Sequence, residues 1–496
     1  MSLLGIDIGT TGCKSAAFSV DGQLIASSYE EYNIVSEEPG YAELNSLEVW
    51  NKIKKTIRNV AGKTSFDPIK ALSVSSLGEA VVPVTKQKEI LYNSILGIDS
   101  RGKEFIHYLN SRISEEEVFE INGNIPGIFS TMPKISWLKK YKPEIYDHTG
   151  YFLLWADFVC FMLGGKPVTN YSLANRTLLF DINKCDWSDK LMELMDLDRS
   201  KFAPTIQSGI QIGAISKEYS EELLLPEDVA IISGGHDQCC AALGSGIKSD
   251  SKAAMYGMGT FICVVPVFSQ MPDIDEMYRN KLHIEQHVVP GSFISFIYNQ
   301  SGGALIKWFM QTFTSNYQDD ADHQNNYNTL FDEIPDKSNN VIVIPRFGAT
   351  GSPDFHIGNQ GCITGLSLSN TRGDILLAVL EGISFYIRDC FENLGNTFSE
   401  VEFFVATGGG SVSEKWLQIT ADILGKTIIR NKVTEASSLG AAIIAGKGGK
   451  VFSTFDDAID AMVHKKLTIK PELSKKEYYS RKFEQYQKLY NFQSQF

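Results

Sequence analysis

The chain lacks the features that mark membrane, secreted and disulfide-bonded proteins. No apolar run reaches membrane length, because Asp157 interrupts the longest candidate at 151–163. Asp7 likewise interrupts the short apolar stretch near the N-terminus, so no signal peptide is expected. The eight cysteines include no CxxC pair. These absences predict a cytoplasmic protein with reduced thiols, in which the neighbours Cys239 and Cys240 are buried side chains rather than a joint metal site.

Positive charge is also scarce. The sequence has 46 Lys plus Arg against 59 Asp plus Glu, which gives a formal net charge of −13 at pH 7. An acidic surface repels nucleic acid and anionic membranes, so neither is expected as a partner. With 496 residues, 43% of them hydrophobic, the chain is long enough for two ordinary domains, each with its own core.

Two familiar phosphate-binding motifs are missing as well. The run 440–447 has one residue too many for a P-loop, and no Ser or Thr follows Lys447. In the segment 257–262, Ile262 stands where a dinucleotide fingerprint needs its third glycine. Any nucleotide site must therefore be built differently.

What the sequence does contain is a run of three glycines at 408–410, after an apolar strand-like segment at 401–407. Glycines let a planar base or a phosphate approach the backbone. Ser411 or Ser413 can cap the helix that follows, and Gly425 suits its C-terminus. The segment fits a nucleotide site, and it fits an ordinary glycine turn equally well.

Two glycine-threonine hairpins lie about half a chain apart. The first turn is Gly9-Thr10-Thr11-Gly12 and the second is Gly257-Met258-Gly259-Thr260, each between two short strands. Hydroxyls and backbone N–H groups in such turns, with Lys14 nearby, can hold a polyphosphate, and Asp7 can hold Mg²⁺ through water. Each turn alone also reads as an ordinary hairpin. Their repetition favours an internal duplication, with the nucleotide between two domains.

A candidate catalytic base follows the apolar strand predicted at 229–232. Asp237 opens a helix after a glycine turn, and a helix N-terminus favours the ionised carboxylate. Such a carboxylate can take the proton of a sugar hydroxyl that attacks phosphorus. Asp237 can equally be a helix cap. The neighbouring His236 can touch the sugar or simply orient the turn, and we favour the second interpretation.

Seven segments together resemble the FGGY carbohydrate kinases, a family that includes xylulokinase, ribulokinase, gluconate kinase and glycerol kinase. They are DIGTTGCK, GGHDQCCAALGSG, YGMGT, NQSGGALIKWF, TGLSLSNTRGDILLAVLEGISF, TGGGSVSEKWLQITADILGK and EASSLGAAIIAG. The resemblance runs from about residue 3 to about residue 452. It implies an α/β chain with the duplicated actin-like (ribonuclease H-like) ATPase fold, in which two domains close on ATP and sugar in a central cleft. We set the domains at 1–245 and 246–496.

This resemblance implies ATP-dependent phosphorylation of a hydroxyl on a small sugar, with ATP and Mg²⁺ as cofactors. The expected substrate is a pentulose, as for xylulokinase, and ribulose, gluconate, glycerol and erythritol are the alternatives. A rival class is an ATPase of the same fold that drives a conformational switch and phosphorylates no sugar. A homodimer is left open.

The resemblance also assigns residues. Asp237 is the expected general base, and Asp7 is expected to order Mg²⁺. The residues expected at the nucleotide are Thr10, Thr11, Lys14, Gly259, Thr260, Gly303, Gly409, Gly410 and Ser413. The residues expected at the sugar are Gly78, Glu79, Asp99, Asp237 and Gln238.

Two positions depart from the family pattern. Glu79 can accept two hydroxyl hydrogen bonds, but it stands in a turn where xylulokinase has Met-His and glycerol kinase has Arg-Glu. This difference keeps other ketoses and polyols open. In the segment 93–101 a glycine replaces the family's usual Trp, and there Asp99 and Arg101 form either a substrate contact or a structural pair.

The local structure of four segments outside the motifs can also be predicted. Residues 135–157 show helical spacing, and 166–183 read as a loop-and-turn insertion that in the family lies beside the sugar cleft. The polar stretch 314–328 is expected to be an exposed loop. Residues 472–496 are expected to form a C-terminal surface helix.

Overall fold

The computed structural model describes residues 1–314, 330–336, 339–355 and 360–493. Its strands are β1 (Ser2–Ile8), β2 (Gly12–Ser19), β3 (Leu24–Glu31), β4 (Glu43–Leu44), β5 (Ile69–Ser76), β6 (Val81–Val84), β7 (Ser94–Ile95), β8 (Tyr151–Leu154), β9 (Thr169–Asn170), β10 (Phe180–Asp181), β11 (Asp186–Trp187), β12 (Thr205–Ile206), β13 (Gln211–Ala214), β14 (Ala230–His236), β15 (Ala253–Met258), β16 (Ile262–Phe268), β17 (Glu285–Gln286), β18 (Phe293–Ile294), β19 (Ile297–Asn299), β20 (Ile342–Ile344), β21 (Cys362–Thr364), β22 (Phe403–Thr407), β23 (Thr427–Asn431) and β24 (Lys465–Ile469).

Its helices are α1 (Ser46–Ala61), α2 (Lys103–Asn110), α3 (Glu115–Asn122), α4 (Thr131–Tyr141), α5 (Pro143–His148), α6 (Trp155–Leu163), α7 (Tyr171–Asn175), α8 (Asp189–Leu194), α9 (Lys217–Leu223), α10 (Asp237–Gly244), α11 (Ile274–Arg279), α12 (Gly303–Phe313), α13 (Arg372–Asn393), α14 (Glu414–Leu424), α15 (Ala436–Gly448), α16 (Phe455–Met462) and α17 (Lys476–Gln493).

The described residues form two large sheets in which five central strands have the same order and directions. The first has the strand order β13-β14-β5-β1-β2-β3, and the second runs β24-β23-β22-β15-β16-β18-β17, with β19 also paired to β16. In each sheet the central strands are parallel and a hairpin closes one side. The repeated sheet confirms the predicted duplication. The boundary at 245/246 stays our proposal, and the passage from the first sheet to the second between β14 and β15 supports it.

The two predicted hairpins occupy equivalent places in the two sheets. In the first, Asp7 on β1 lies opposite Lys14 on β2. In the second, Gly257 on β15 lies opposite Cys263 on β16. Both turns therefore reach the same side of the molecule, at the carboxyl ends of the parallel strands β5 and β22, where open α/β sheets place their ligands.

Two helices cross between the sheets. Helix α10 follows β14 of the first sheet and contacts β15 and β16 of the second, whereas α15 follows β23 of the second and contacts β1 and β5 of the first. Glycines permit the close approach, because a Cβ on Gly244 would overlap the carbonyl oxygen of Ala436 and one on Gly440 would overlap that of Cys240. The buried apolar cluster around the crossing includes Leu243 and Ile443.

Several weaker predictions need correction. Residues 135–157 are not continuously helical, because β8 pairs with β6 between α5 and α6. Residues 166–183 are not only loop, since they contain β9, α7 and β10. Helix α17 is not confined to the surface, because its aromatic side chains Phe483 and Tyr486 are buried against Phe385 of α13. Most of the expected loop at 314–328 lies outside the described residues.

The structure bears on the predictions about the cysteines and about membrane-spanning segments. Cys239 and Cys240 are fully buried free thiols, which confirms the burial expected for that pair. Among the described residues, no helix is both long enough and apolar enough to cross a membrane.

Candidate functional site

The ends of the two hairpins meet at a cleft between the sheets, where two cavities adjoin. One cavity, of about 500 Å³, is lined by Gly303, Gly409 and Ser413 among others. The other, of about 510 Å³, is lined by Glu79 and Asp237 among others. Residues 258–260, in the turn of the second hairpin, line both cavities. Each volume lies in the range of small-molecule sites, so the cleft can hold two ligands end to end.

Asp237 lies at the first position of α10, on the wall of the second cavity. Its side chain keeps 27% of its surface exposed. Burial raises the pKa of Asp237, His236 opposes the rise, and the Glu79 carboxylate adds to it. The helix N-terminus was expected to favour the charged form, but the surrounding protein outweighs it. A carboxylate with a raised pKa is a stronger base than a solvated one, as proton abstraction requires.

His236 joins Asp237 to a second carboxylate. Its Nε2 lies 3.1 Å from Asp237 Oδ1, and its Nδ1 lies 3.2 Å from Glu285 Oε2 on β17. Burial lowers the pKa of His236, but the two flanking carboxylates outweigh burial and the net pKa is raised. His236 therefore lies between two carboxylates, and the role favoured from the sequence, that it orients the turn, stays a prediction.

Arg176, just after α7, continues this chain. Its guanidinium forms ion pairs with both Glu285 and Glu79, and its Nε donates to Glu79 Oε1 at 2.8 Å. Arg176 and the nearby His236 lower the pKa of Glu285 to about 2, although burial alone would raise it. The carboxylates of Glu79, Glu285 and Asp237 thus alternate with the basic side chains of Arg176 and His236. We call these five residues the charge chain.

Glu79 reaches the cleft, but not with a free carboxylate. One oxygen is engaged by Arg176, and the backbone carbonyl of Glu79 accepts a hydrogen bond from Thr131 at 2.6 Å. Because Oε1 already accepts hydrogen bonds from the Arg176 guanidinium, Glu79 can accept fewer hydrogen bonds from sugar hydroxyls than the sequence suggested. Gly78 and Gln238 line the same cavity.

Asp99 does not reach the cleft. The residue is fully buried, its Oδ2 accepts from the backbone N–H of Ala42 at 2.6 Å, and both of its oxygens accept from Arg101. The Arg101 guanidinium also pairs with Glu43 at 2.7 Å. The sequence left open whether Asp99 and Arg101 contact the substrate or form a structural pair, and the structure shows the structural pair. The assignment of Asp99 to the sugar was wrong.

Asp7 lies near the first hairpin turn, with its Oδ1 accepting from Ser75 Oγ at 2.8 Å. Burial, helped by the nearby Asp237 charge, raises the pKa of Asp7 to about 7. Lys14 faces it across the hairpin, but the Lys14 ammonium pairs at 2.7 Å with Glu435, which precedes α15. Thr10 lines the cavity of Asp237, and Thr11 is exposed beside it.

The glycine run forms the far wall of the other cavity. Gly408 has φ +80°, and residues 409–412 form a short 3₁₀ turn before Ser413, whose hydroxyl caps α14 by accepting from the Trp416 N–H at 3.2 Å. No heavy atom of the described residues lies within 4 Å of where a Gly409 Cβ would stand, whereas a Gly410 Cβ would overlap the Trp416 ring.

The backbone of the second hairpin turn completes this cavity. The Gly303 N–H donates to the Gly259 carbonyl at 2.9 Å, and the Ala304 N–H donates to that of Thr260 at 3.0 Å. Gly303 and Gly259 therefore stand side by side, as the sequence interpretation requires.

The structure brings most of the expected site residues into one cleft. Those on a cavity wall are Thr10, Gly78, Glu79, Asp237, Gln238, Gly259, Thr260, Gly303, Gly409, Gly410 and Ser413. Sequence reasoning missed Arg176 and Glu285. Arg176 falls in the segment 166–183 placed beside the sugar cleft, so a charged residue there was a usable signal. No sequence signal pointed to Glu285, because β17 meets α7 only in the folded chain.

Comparison with known proteins agrees with this geometry. The model of the FGGY family of carbohydrate kinases, N-terminal domain, matches residues 2–244, and that of the C-terminal domain matches residues 269–448. The chain belongs to the FGGY family of carbohydrate kinases and is a sugar kinase that uses ATP.

Individual relatives cover nearly the whole chain. A xylulose kinase of Bacillus subtilis is 25% identical over 493 residues, covering 98% of this chain and 96% of that protein. A glycerol kinase of Aquifex aeolicus is 26% identical over 497 residues, covering 97% and 96%. The sequence relatives therefore include kinases named for different substrates.

Solved structures share the fold at lower identity. The xylulose kinase of Rhodospirillum rubrum has a TM-score of 0.86 at 23% identity, with 99% of each chain covered. The gluconate kinase of Lactobacillus acidophilus has a TM-score of 0.85 at 22% identity, covering 99% of this chain and 97% of that one. The predicted two-domain actin-like ATPase fold is confirmed.

Proposed function

We propose that this kinase phosphorylates a hydroxyl of a neutral pentulose, with xylulose as the first candidate. The observation that carries the proposal is the position of Asp237, on the wall of a cavity that shares residues 258–260 with the glycine-lined one. A sugar in the Asp237 cavity and ATP in the other would bring hydroxyl and γ-phosphate together. Several relatives named xylulose kinase cover over 90% of the chain and support the substrate.

In this mechanism Asp237 is the general base. The attacking sugar oxygen forms a bond to the γ-phosphorus while the bond to the β–γ bridging oxygen breaks, and ADP leaves. The hydroxyl proton passes to the Asp237 carboxylate. Its partly exposed face is available to the sugar, because Oδ1 already lies against His236.

Backbone groups would hold the nucleotide. Gly409 presents no side chain to the cavity, so adenosine can lie against the glycine run there. Gly259 and Thr260 would meet the phosphates at the junction with the other cavity, and Thr10 approaches from the first hairpin. Lys14 contributes charge from a distance, since Glu435 holds its ammonium.

Asp7 is the residue proposed to order Mg²⁺. Its raised pKa reflects a carboxylate that is poorly compensated and close to the carboxylate of Asp237. A hard divalent cation prefers such oxygen donors and would favour their ionised forms. Mg²⁺ bound there would neutralise charge on the transferring phosphates. As expected from the sequence, Asp7 would act through ordered water, and Ser75 would hold its carboxylate in place through the hydrogen bond to Oδ1.

The charges of the sugar cavity favour a neutral substrate over an acid such as gluconate. Two carboxylates, Glu79 and Asp237, line it. Its two basic side chains, Arg176 and His236, already lie against Glu79, Glu285 and Asp237. A sugar acid would bring a further carboxylate without a free cation among the described lining residues. The substrate carboxylate and the carboxylates of the cavity would repel one another.

A substrate panel tests the proposal. Xylulose, ribulose, gluconate, glycerol and erythritol are compared by ADP release in a coupled assay, with the phosphorylated product confirmed by mass spectrometry. We expect kcat/KM to be highest for a pentulose and lowest for gluconate. A preference for gluconate would contradict the charge argument. ADP release without any phosphorylated sugar would favour the ATPase switch instead.

A further inference from the structure

The charge chain contains a residue pair that the proposed mechanism does not yet use. His236 ends β14 in the first sheet, and Glu285 lies on β17, at the edge of the second. Both side chains are buried, and neither transfers a proton to or from the sugar in the mechanism above. Buried charged groups are costly unless paired, so their arrangement calls for a reason.

We propose that His236, held by Glu285, is a positioning residue that keeps Asp237 ionised and aimed at the sugar hydroxyl. The inference rests on the proposed role of Asp237 as general base. Each ring nitrogen lies at ion-pair distance from one carboxylate oxygen, at 3.1 Å and 3.2 Å. An imidazolium is attracted by both carboxylates and carries an N–H on each nitrogen, whereas a neutral ring carries only one.

The contacts around the ring favour the charged form. Glu285 is fully buried and is anchored through its other oxygen by Arg176. Glu285 is therefore a fixed negative charge behind the imidazole. The ionisable groups that interact with His236 or Asp237 from the surrounding elements are Glu79, Arg176, Glu285, Asp7 and the thiols of Cys239, Cys240 and Cys263. Only Arg176 among these opposes the imidazolium.

A metal ion is the competing explanation for the same cluster. Nitrogen, sulfur and oxygen atoms of His236, Cys239 and Glu285 lie within 4.8 Å of one another. We favour the imidazolium, because Arg176 already occupies one oxygen of Glu285 and leaves fewer donors for a metal ion. Burial also raises the pKa of the Cys239 thiol, whereas a metal ligand is a thiolate.

The consequence for pH is specific. Activity requires ionised Asp237. At saturating Mg²⁺, which favours ionised Asp7, kcat/KM therefore falls as the pH drops through the pKa of Asp237. A neighbouring imidazolium lowers that pKa, and its loss should raise it by about 1 pH unit or more. The acid limb of the pH profile should then move to higher pH. A merely structural loss would lower the rate equally at every pH.

The test compares pH profiles of kcat/KM for the wild-type enzyme, His236→Gln and Glu285→Gln with the best sugar. We expect both variants to shift the acid limb upward, with His236→Gln shifting it further, and activity to recover towards the wild-type value at high pH. Glu285→Gln keeps the shape of the side chain, so it serves if His236→Gln does not fold. A uniform loss without a shift in either folded variant would overturn the proposal.

Cys239→Ser is the matched control. This change leaves both carboxylates and the ring in place, so the acid limb should not move. If a metal explains the cluster, Cys239→Ser and a chelator would both reduce activity, and Zn²⁺ would restore the chelated wild-type enzyme. That outcome would replace our proposal with a metal site.

Asp237→Asn separates this inference from the proposed mechanism. If that variant stays active, the base itself is misassigned. If it is inactive and the His236→Gln profile does not shift, only the positioning role fails. As a second readout, ¹⁵N-histidine spectra near pH 7 should show both ring nitrogens of His236 protonated, identified by the signal lost in His236→Gln. A neutral ring would contradict the proposal.

Discussion

The first half of the molecule and the second half build equivalent sheets and differ in what they place at the junction. In the first half, Asp237 opens the crossing helix α10 and lines a cavity. In the second half, Glu435 stands just before the equivalent helix α15 and is paired with Lys14. One carboxylate faces the cleft and the other is used in an ion pair. The duplication therefore gives the two halves the same scaffold of strands and helices. The residues proposed for catalysis lie where the halves differ.

The largest expected effect tests this difference between the two carboxylates. Asp237→Asn should lower the rate of sugar phosphorylation by about 10²- to 10⁴-fold, as removal of a general base commonly does. ATP affinity should stay nearly unchanged, because the amide keeps the shape of the side chain. Steady-state kinetics and calorimetry with a non-hydrolysable nucleotide measure both. A near wild-type rate would remove Asp237 from its assigned role.

The next prediction concerns the crossing itself, which both halves share. Gly440→Ala should destabilise the fold by about 3 kcal/mol, since overpacking costs roughly 1–3 kcal/mol and occasionally more and the added methyl would overlap the Cys240 carbonyl. Gly409→Ala is the control, because its methyl would meet no described atom within 4 Å. Chemical denaturation measures both. Equal stability of the two variants would mean that the helices can separate freely.

Nucleotide binding should depend on the second half. Gly409→Val projects a branched side chain into the glycine-lined cavity and should weaken ATP binding by about 1–3 kcal/mol, or roughly 5- to 150-fold in Kd. Sugar affinity should be little changed. Gly410→Val, by contrast, should destabilise the fold, because its side chain would meet Trp416. Unchanged ATP affinity in folded Gly409→Val would place the nucleotide elsewhere.

Sugar selection should depend on the first half. Glu79→Ala leaves Arg176 with one carboxylate and removes an acceptor from the cavity, so KM for the best sugar should rise by about 5- to 30-fold, equivalent to 1–2 kcal/mol. The preference for that sugar over a deoxy analogue should narrow, while sugar-independent ATP hydrolysis stays the same. An unaltered ranking across the substrate panel would show that another residue reads the sugar.

The smallest effect is expected at Glu435. Glu435→Gln breaks a partly exposed ion pair with Lys14, which is worth about 0–1 kcal/mol, so stability should hardly change. The released ammonium should lower KM for ATP slightly, and this gain should weaken at high salt. If Glu435→Gln instead reduced the rate as strongly as Asp237→Asn, the two carboxylates would be functionally equivalent.

Local patterns predicted the frame well. The glycine turns, the strand-and-hairpin repeat and the caps at Ser413 and Gly425 depend on nearby residues, and the structure shows them in place. The charge chain could not be found in this way. Arg176 and Glu285 are 109 residues apart, and the cost of burying their charges is relieved only when folding brings them together with Glu79 and His236.

Asp99 shows the opposite error, because the sequence assigned to the site a residue that the structure places outside it. An Asp two residues before an Arg fits a substrate site and a structural ion pair equally, and only burial separates them. The sequence cannot show that Ala42 presents its backbone N–H to the same carboxylate. Residue identity therefore predicted the chemistry available, and the fold decided where it is used.

The glycine-lined crossing of α10 and α15 has a consequence for which substitutions the chain tolerates. Gly244 and Gly440 line neither of the two cavities of the cleft, yet even a methyl group on either would overlap a carbonyl oxygen of the opposite helix. A methyl group on Gly5 would likewise overlap the carbonyl oxygen of Ser438. In a saturation-mutagenesis screen scored by growth on the substrate sugar, these three positions should be as intolerant as Asp237. Unlike Asp237, they would lose protein abundance together with activity, so a parallel abundance screen would tell them apart.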